Sequence, residues 1–311
     1  MTSLSVDLIA SAILIGTIPR AMPILLAALG ETLDQNAGIL NLGVEGIMLM
    51  GAITAFTTEY FTENFVLAFI IAFAIGSLFS FFHAFASVSL KADQVVSGTA
   101  LWFIGWGLSG VLYRFYFGNS PSPPVIQTLH HVSIPYLSNI PFIGRLIFGQ
   151  DPIFYTVIMS LLFIHYFLFK TRIGLNLRTV GENPLVAKAV GVNPSLYRYL
   201  ACMFGGGMAG LGGAYLVLTV VGSFFYDMTL GAGFIAVALV YFGKWKPLRV
   251  FVGSLLFGAV YVFYLTAETY FQYVPYQFIE MLPYLFTLII ILIAGTRAHS
   301  PASLGKPFHE E

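Results

Sequence analysis

Apolar residues run along this 311-residue chain in blocks of about twenty, separated by short polar or proline-bearing breaks. A helix of roughly twenty apolar residues crosses the hydrocarbon core of a bilayer, so the pattern predicts membrane-spanning helices. Nine blocks are legible, at 8–29, 38–57, 65–90, 94–117, 152–170, 199–221, 229–243, 248–270 and 280–296. The block at 229–243 is short and reads as a half-helix or a tilted re-entrant segment. The first is interrupted by Pro19, Arg20 and Pro23, which either kink one helix or split it in two. The expected fold is all-α: a polytopic helical membrane protein with about 8–10 transmembrane helices. It forms a single membrane domain over 1–311, with a long loop at about 118–150 on one face and another at about 170–198 on the other.

Composition sharpens this picture. Hydrophobic residues make up 58% of the chain, charged residues 9%, and the formal net charge is zero. Soluble domains carry roughly 25% charged residues, so this chain cannot clothe a globular surface in water. Fourteen basic and fourteen acidic residues leave no basic field for nucleic acid. The single cysteine, Cys202, excludes a disulfide framework and a cysteine-rich metal site.

Lys and Arg orient the spans. Lys91, Lys170, Arg172, Arg178, Lys188, Arg198, Lys244, Lys246, Arg249, Arg297 and Lys306 all fall on one side of the predicted arrangement, leaving Arg114 and Arg145 on the other. The positive-inside rule makes the basic side cytoplasmic and places the C-terminus there. The N-terminus has no basic n-region, and Pro19-Arg20 follows its apolar run where a cleavage site would stand. It reads as a retained span.

The outer loop carries Pro121, Pro123, Pro124, Pro135 and Pro141 with apolar residues between them. It reads either as a connector or as an ordered docking surface on the membrane face. In the inner loop, Gly181 and Gly191 bracket a short helical stretch that Asn183 caps and Pro184 opens. Leu185, Ala189 and Val192 form an apolar stripe on it. This helix either docks on a cytoplasmic partner or lies on anionic lipid.

Within the spans, Gly205, Gly206, Gly207, Gly210, Gly212 and Gly213 crowd one side of 199–221, as close helix packing in lipid requires. Asn41, Gly43, Glu45 and Gly46 lie in GILNLGVEGIMLMG. A carboxylate there is costly, so Glu45 either serves the transport pathway or its gating, or is satisfied by backbone N–H groups near a helix start. Arg20 is a candidate partner for it. AMPILLAALGETL followed by LNLGVEGIMLMGA echoes GGMAGLGGAYLVL followed by TLGAGFIAVALVYFG, as an inverted repeat would. Catalytic constellations are missing from the sequence: no phosphate loop, no H-E-x-x-H and no G-x-S-x-G occurs. His83 and His165 read as structural, and neither catalytic nor metal-binding residues are expected.

GILNLGVEGIMLMGA, GENPLVAKAVGVN, GGMAGLGGAYL and GAGFIAVALVYFGKWKP, in this order, resemble the permease subunits of binding-protein-dependent ABC importers over about residues 20–296. The similar branch carries simple sugars, branched-chain amino acids and nucleosides, and the nucleoside and simple-sugar members are nearest. The resemblance implies a non-catalytic subunit in the cell membrane that binds no cofactor, with ATP used by a partner ATPase. It also implies a second permease, homologous or identical, and an extracytoplasmic substrate-binding protein. It assigns Gly181, Glu182, Asn183, Pro184, Ala187 and Gly191 to the loop that couples to the ATPase. Asn41, Gly43, Glu45 and Gly46 match a signature near the pathway. The family's arginine before the glycine that opens this signature is replaced here, where Gln35, Asn36 and Ala37 precede Gly38. From the residues alone, an ion-gradient-driven secondary transporter is the alternative, with Glu45 and Arg20 as its intramembrane charges.

Overall fold

A computed structural model describes residues 3–118, 123–129, 148–270, 275–295 and 299–307. The described residues form helices and no strands. In order they are α1 (Ser3–Asn36), α2 (Val44–Thr62), α3 (Phe65–Ala84), α4 (Gln94–Phe117), α5 (Pro152–Lys170), α6 (Arg172–Glu182), α7 (Pro184–Ala189), α8 (Pro194–Tyr215), α9 (Ala232–Phe242), α10 (Pro247–Tyr270), α11 (Tyr276–Glu280) and α12 (Leu282–Gly295). One π-helical turn extends α3 through Phe85–Ser89 and another extends α8 through Leu216–Val221. Five of these segments are long and apolar enough to cross a membrane by length and composition: Phe65–Ser89, α4, α5, Pro194–Val221 and Pro247–Ala267. This is the multi-pass helical architecture the hydropathy pattern predicts.

Each of the nine predicted blocks coincides with a helix, and α4 and α5 have the expected bounds. Three differences matter. Pro19 and Pro23 do not split the first helix, which runs unbroken for 34 residues. The second helix starts at Val44 rather than near 38, because the chain from Gly38 to Gly43 is not helical. The sixth block starts at Pro194, where Asn193 caps the helix and draws Arg198 out of the expected loop into it.

The glycine-rich α8 is the post around which the bundle packs. Its span is 72% buried, against 22–39% for the other four. A methyl group on Gly205 would collide with Asp34 of α1, on Gly206 with Ser80 and Gly76 of α3, on Gly210 with Ala72, and on Gly213 with Met48 of α2. Three helices therefore reach their closest approach to α8 at these glycines, where packing rather than water release holds helices together. Close packing is thus the role of this cluster. Cys202 is a fully buried packing residue in the same helix.

Of the 118–150 loop, Pro121, Pro135, Pro141 and Arg145 lie outside the described residues, as does Arg297. The described stretch Pro123–Leu129 packs on the end of α8's π turn: Ile126 N–H donates to Gly222 O at 2.8 Å and Leu129 N–H to Leu218 O at 3.1 Å.

Candidate functional site

Two stretches of non-helical chain enter the bundle from opposite faces, and both can be followed along α4. Residues 37–43 leave the end of α1, pass Gly98 and Leu101 of α4, and turn into α2, which climbs to set Phe56 against Phe117, ring centroids 5.3 Å apart. Residues 222–231 run the other way. Phe224 meets Tyr113 at 5.5 Å, Tyr226 meets Trp106 at 4.8 Å, and Phe234 of α9 meets Trp102 at 5.0 Å. The chain then reaches Trp245, whose indole donates to Gln35 Oε1 at 2.7 Å at the end of α1. With 11 residues, α9 is about 16 Å long, roughly half of a bilayer core. The short block is thus a half-helix, and the two antiparallel broken spans give the sequence echo a geometric counterpart.

The starts of α2 and α9 meet beside Trp102, and Glu45 joins them. Its carboxylate accepts from Gly231 N–H at 2.8 Å, from Gly233 N–H at 2.6 Å and from the Thr229 hydroxyl. The first turn of α9 has no side-chain cap of its own, because Gly231 stands at its N-cap with φ +79°. Glu45 supplies that cap from the neighbouring helix, with both its carboxyl oxygens at the positive end of the α9 dipole. Gly233 has no space for a side chain, since a Cβ there would strike the Glu45 backbone. Backbone N–H groups at a helix start do satisfy Glu45, and the helix is a second one rather than its own. Arg20 is not its partner: its guanidinium sits over the Tyr261 ring of α10 at 5.3 Å.

Non-helical backbone inside a membrane must find hydrogen bonds elsewhere. Residues 37–43 find them in buried side chains. Arg198 Nε donates to Ala37 O at 3.2 Å, Gln94 Oε1 accepts from Leu40 N–H at 2.7 Å, and His83 Nε2 bonds Leu40 O at 3.2 Å. Glu31 Oε1 accepts from Asn41 N–H at 3.2 Å, and Asn41 Oδ1 accepts from Gly43 N–H at 2.9 Å. His83 is therefore structural, as expected. Asn41 also donates to Ser80 Oγ at 3.0 Å, and Gly46 lets α2 touch the backbone of Trp102. Asn41, Gly43, Glu45 and Gly46 thus come together where the first break joins α2, and Asn41 and Glu45 are both fully buried.

The second group of residues lies at the face where the basic helix ends gather. Asn183 Oδ1 accepts from the N–H groups of Leu185 and Val186, both at 3.1 Å, and Pro184 opens α7 as predicted. Gly191, with φ +84°, closes it. Ala187 points inward with no exposed surface, whereas Leu185, Val186 and Val190 are 56%, 51% and 70% exposed. The apolar face offered outward is therefore wider than the expected stripe, and Ala187 is not on it.

The structure links the two groups through residues that sequence reasoning missed. Gly181 packs directly on Asn36 O. Its carbonyl accepts from Ser303 N–H at 3.0 Å and from Ser303 Oγ at 2.6 Å, while Glu182 Oε2 accepts from Ala302 N–H at 3.3 Å. Arg198, fully buried, donates Nη2 to Ser303 Oγ at 3.1 Å while its Nε holds Ala37 O. A buried arginine beside Gly38 is thus present after all, delivered by α8 instead of by the residue before the glycine. The Asn193-Pro194 pair, a cap signature like Asn183-Pro184, was the available signal for it.

The family described as "Branched-chain amino acid transport system / permease component" matches residues 13–295. The guanosine ABC transporter permease protein NupQ of Bacillus subtilis is 33% identical, covering 96% of this chain and 97% of its own. The nucleoside ABC transporter permease protein NupC of Lactococcus lactis is 34% identical, covering 91% and 92%. A putative glucose ABC transporter permease protein of Haloferax volcanii, TsgC13, is 36% identical over 80% of this chain and 75% of its own. No solved structure matches.

Proposed function

The chain belongs to this family of ABC transporter permease components, a multi-pass membrane subunit, and on that premise we propose that it forms, with a second permease, the membrane path of an importer for nucleosides. Simple sugars are the second reading, since two relatives are named for glucose. The whole chain acts as one membrane domain with its basic face and C-terminus in the cytoplasm. An extracytoplasmic binding protein delivers the solute, and a separate ATPase binds and hydrolyses ATP, so this chain needs no cofactor of its own.

The mechanism is alternating access, with α7 as the coupling helix. Gly181, Glu182, Asn183, Pro184, Ala187 and Gly191 shape it, and Leu185, Val186 and Val190 present apolar surface to the ATPase. The observation that carries this reading is the continuous bonding from α7 to the first broken span. Movement of α7 acts on Gly181, which rests on Asn36, and on Ser303, which Arg198 ties to Ala37. The non-helical stretch 37–43 then moves the hinge at Asn41, Gly43, Glu45 and Gly46, and through Glu45 the start of α9 in the second broken span. A two-state element placed between two sites is what coupling requires.

Val186→Glu tests the docking end of this route. It puts a charge on an exposed position of α7, so insertion and yield stay normal while ATP-driven uptake of radiolabelled guanosine into vesicles falls at least tenfold. Undiminished uptake by a Val186→Glu importer would sink the assignment of α7.

A further inference from the structure

We propose that the recess between α4 and the Phe224–Tyr226 stretch receives the planar base of the solute on the face opposite the basic one. This inference rests on the nucleoside reading above.

The recess holds about 610 Å³, within the range of small-molecule sites. Its floor is a row of α4. Ile104, Leu108 and Phe115 are exposed apolar residues along one strip of that helix, as a lipid-facing row requires, and Val111 between them borders the recess. Gly107, Gly110 and Arg114 stand on the adjacent strip and line the recess. Two glycines and an exposed arginine are poor lipid contacts, whereas the glycines leave a flat backbone floor. A Cβ on Gly107 would meet nothing within 4 Å, and one on Gly110 would touch the Tyr226 ring at 2.9 Å.

The wall is aromatic. Tyr226 and Phe225 are 52% and 46% exposed, although they stand on the backbone stretch that leads down to Glu45. Tyr226 is braced from behind by Trp106 at 4.8 Å, and Tyr113 is braced by Phe224 at 5.5 Å. Rings fixed from behind and open in front are stacking platforms, and every nucleobase has a π-face to lay on them. Arg114 supplies fixed positive charge at the rim, with Asp227 within electrostatic reach of the same Tyr226. That balance suits a solute of zero net charge with hydrogen-bonding edges better than a sugar acid. The position follows from the fold: the recess sits over the second broken span, so an occupant rests where the movement of α9 is felt.

The test uses the complete importer in vesicles, with radiolabelled guanosine and glucose as probes. Tyr226→Ala raises the KM for guanosine about tenfold, with the maximal rate kept within about twofold. Tyr226→Phe, which keeps the ring, lies between. Gly107→Phe fills an empty part of the recess and raises KM at least as much. Phe115→Ala, on the lipid-facing strip, is the control for general damage. Guanosine uptake with an unchanged KM in both Tyr226→Ala and Gly107→Phe overturns the recess while leaving the importer reading intact. Uptake of glucose and not of guanosine by the unaltered importer overturns the nucleoside reading and this inference with it. A Gly107→Cys variant that a membrane-impermeant maleimide cannot label in the assembled importer, but labels in the isolated chain, shows that the recess is covered by protein, and also overturns it.

Discussion

The two broken spans share a plan and differ in how they are held. Residues 37–43 are gripped by side chains from four helices: Glu31 from α1, His83 from α3, Gln94 from α4 and Arg198 from α8, which also ties in Ser303 of the chain's tail. Residues 222–231 are held chiefly at their lower end, by Glu45, and on their flank by Ser223 Oγ donating to Pro124 O at 3.1 Å and Tyr284 donating to Leu230 O at 3.2 Å. The first break is mostly buried, with Leu40 and Leu42 half-buried, while Phe225, Tyr226 and Leu230 of the second are exposed. A segment that transmits force needs many rigid attachments. A segment that meets a solute needs open side chains and freedom to change, which belongs to the less stable parts of a fold. The tightly held break is the one joined to α7, and the loosely held one carries the aromatic recess.

Substitutions can break this contrast or sharpen it. Glu45 is common to both spans, so Glu45→Ala has the largest effect. It strands two backbone N–H groups and a hydroxyl inside the bundle, a loss on the order of 3–6 kcal/mol, measured as collapse of yield and of the thermal midpoint of the purified importer. Arg198→Met follows, at about 2–3 kcal/mol, because Ala37 O loses its donor and Ser303 its tie. Gln94→Leu unpairs Leu40 N–H and costs about 1–3 kcal/mol by the same melting measurement. Tyr284→Phe removes a single neutral bond from the second break at an exposed position with room to relax, and the loss is under about 1 kcal/mol. Equal losses for Gln94→Leu and Tyr284→Phe would erase the difference between the two breaks.

Much of this fold was legible in the apolar pattern. The bounds of α4 and α5 follow from hydropathy because polar caps, Asp93 and Asp151, stand directly before them. The half-helix α9 was legible from the shortness of its block. The first break was not, because Gly38–Gly43 is itself mostly apolar and hydropathy cannot distinguish extended chain from helix. Its true signature was indirect: Glu31, His83, Gln94 and Arg198 are polar residues in or beside apolar spans, and each is there to bond backbone that has left the helix. Asn183, Pro184 and Gly191 announced α7 through local cap chemistry. The clasp of Ser303 on Gly181 depends on residues more than a hundred positions apart, which no local pattern encodes.

The central claim is that Arg198 carries the movement of α7 to the first broken span, and the ratio of guanosine imported to ATP hydrolysed by Arg198→Met importers in vesicles tests it most directly. The account predicts that hydrolysis stays within about threefold of the unaltered importer while uptake falls at least tenfold, since the ATPase still docks on α7 but its stroke no longer reaches Ala37. An unchanged ratio, whether both rates hold or both fall together, would contradict it.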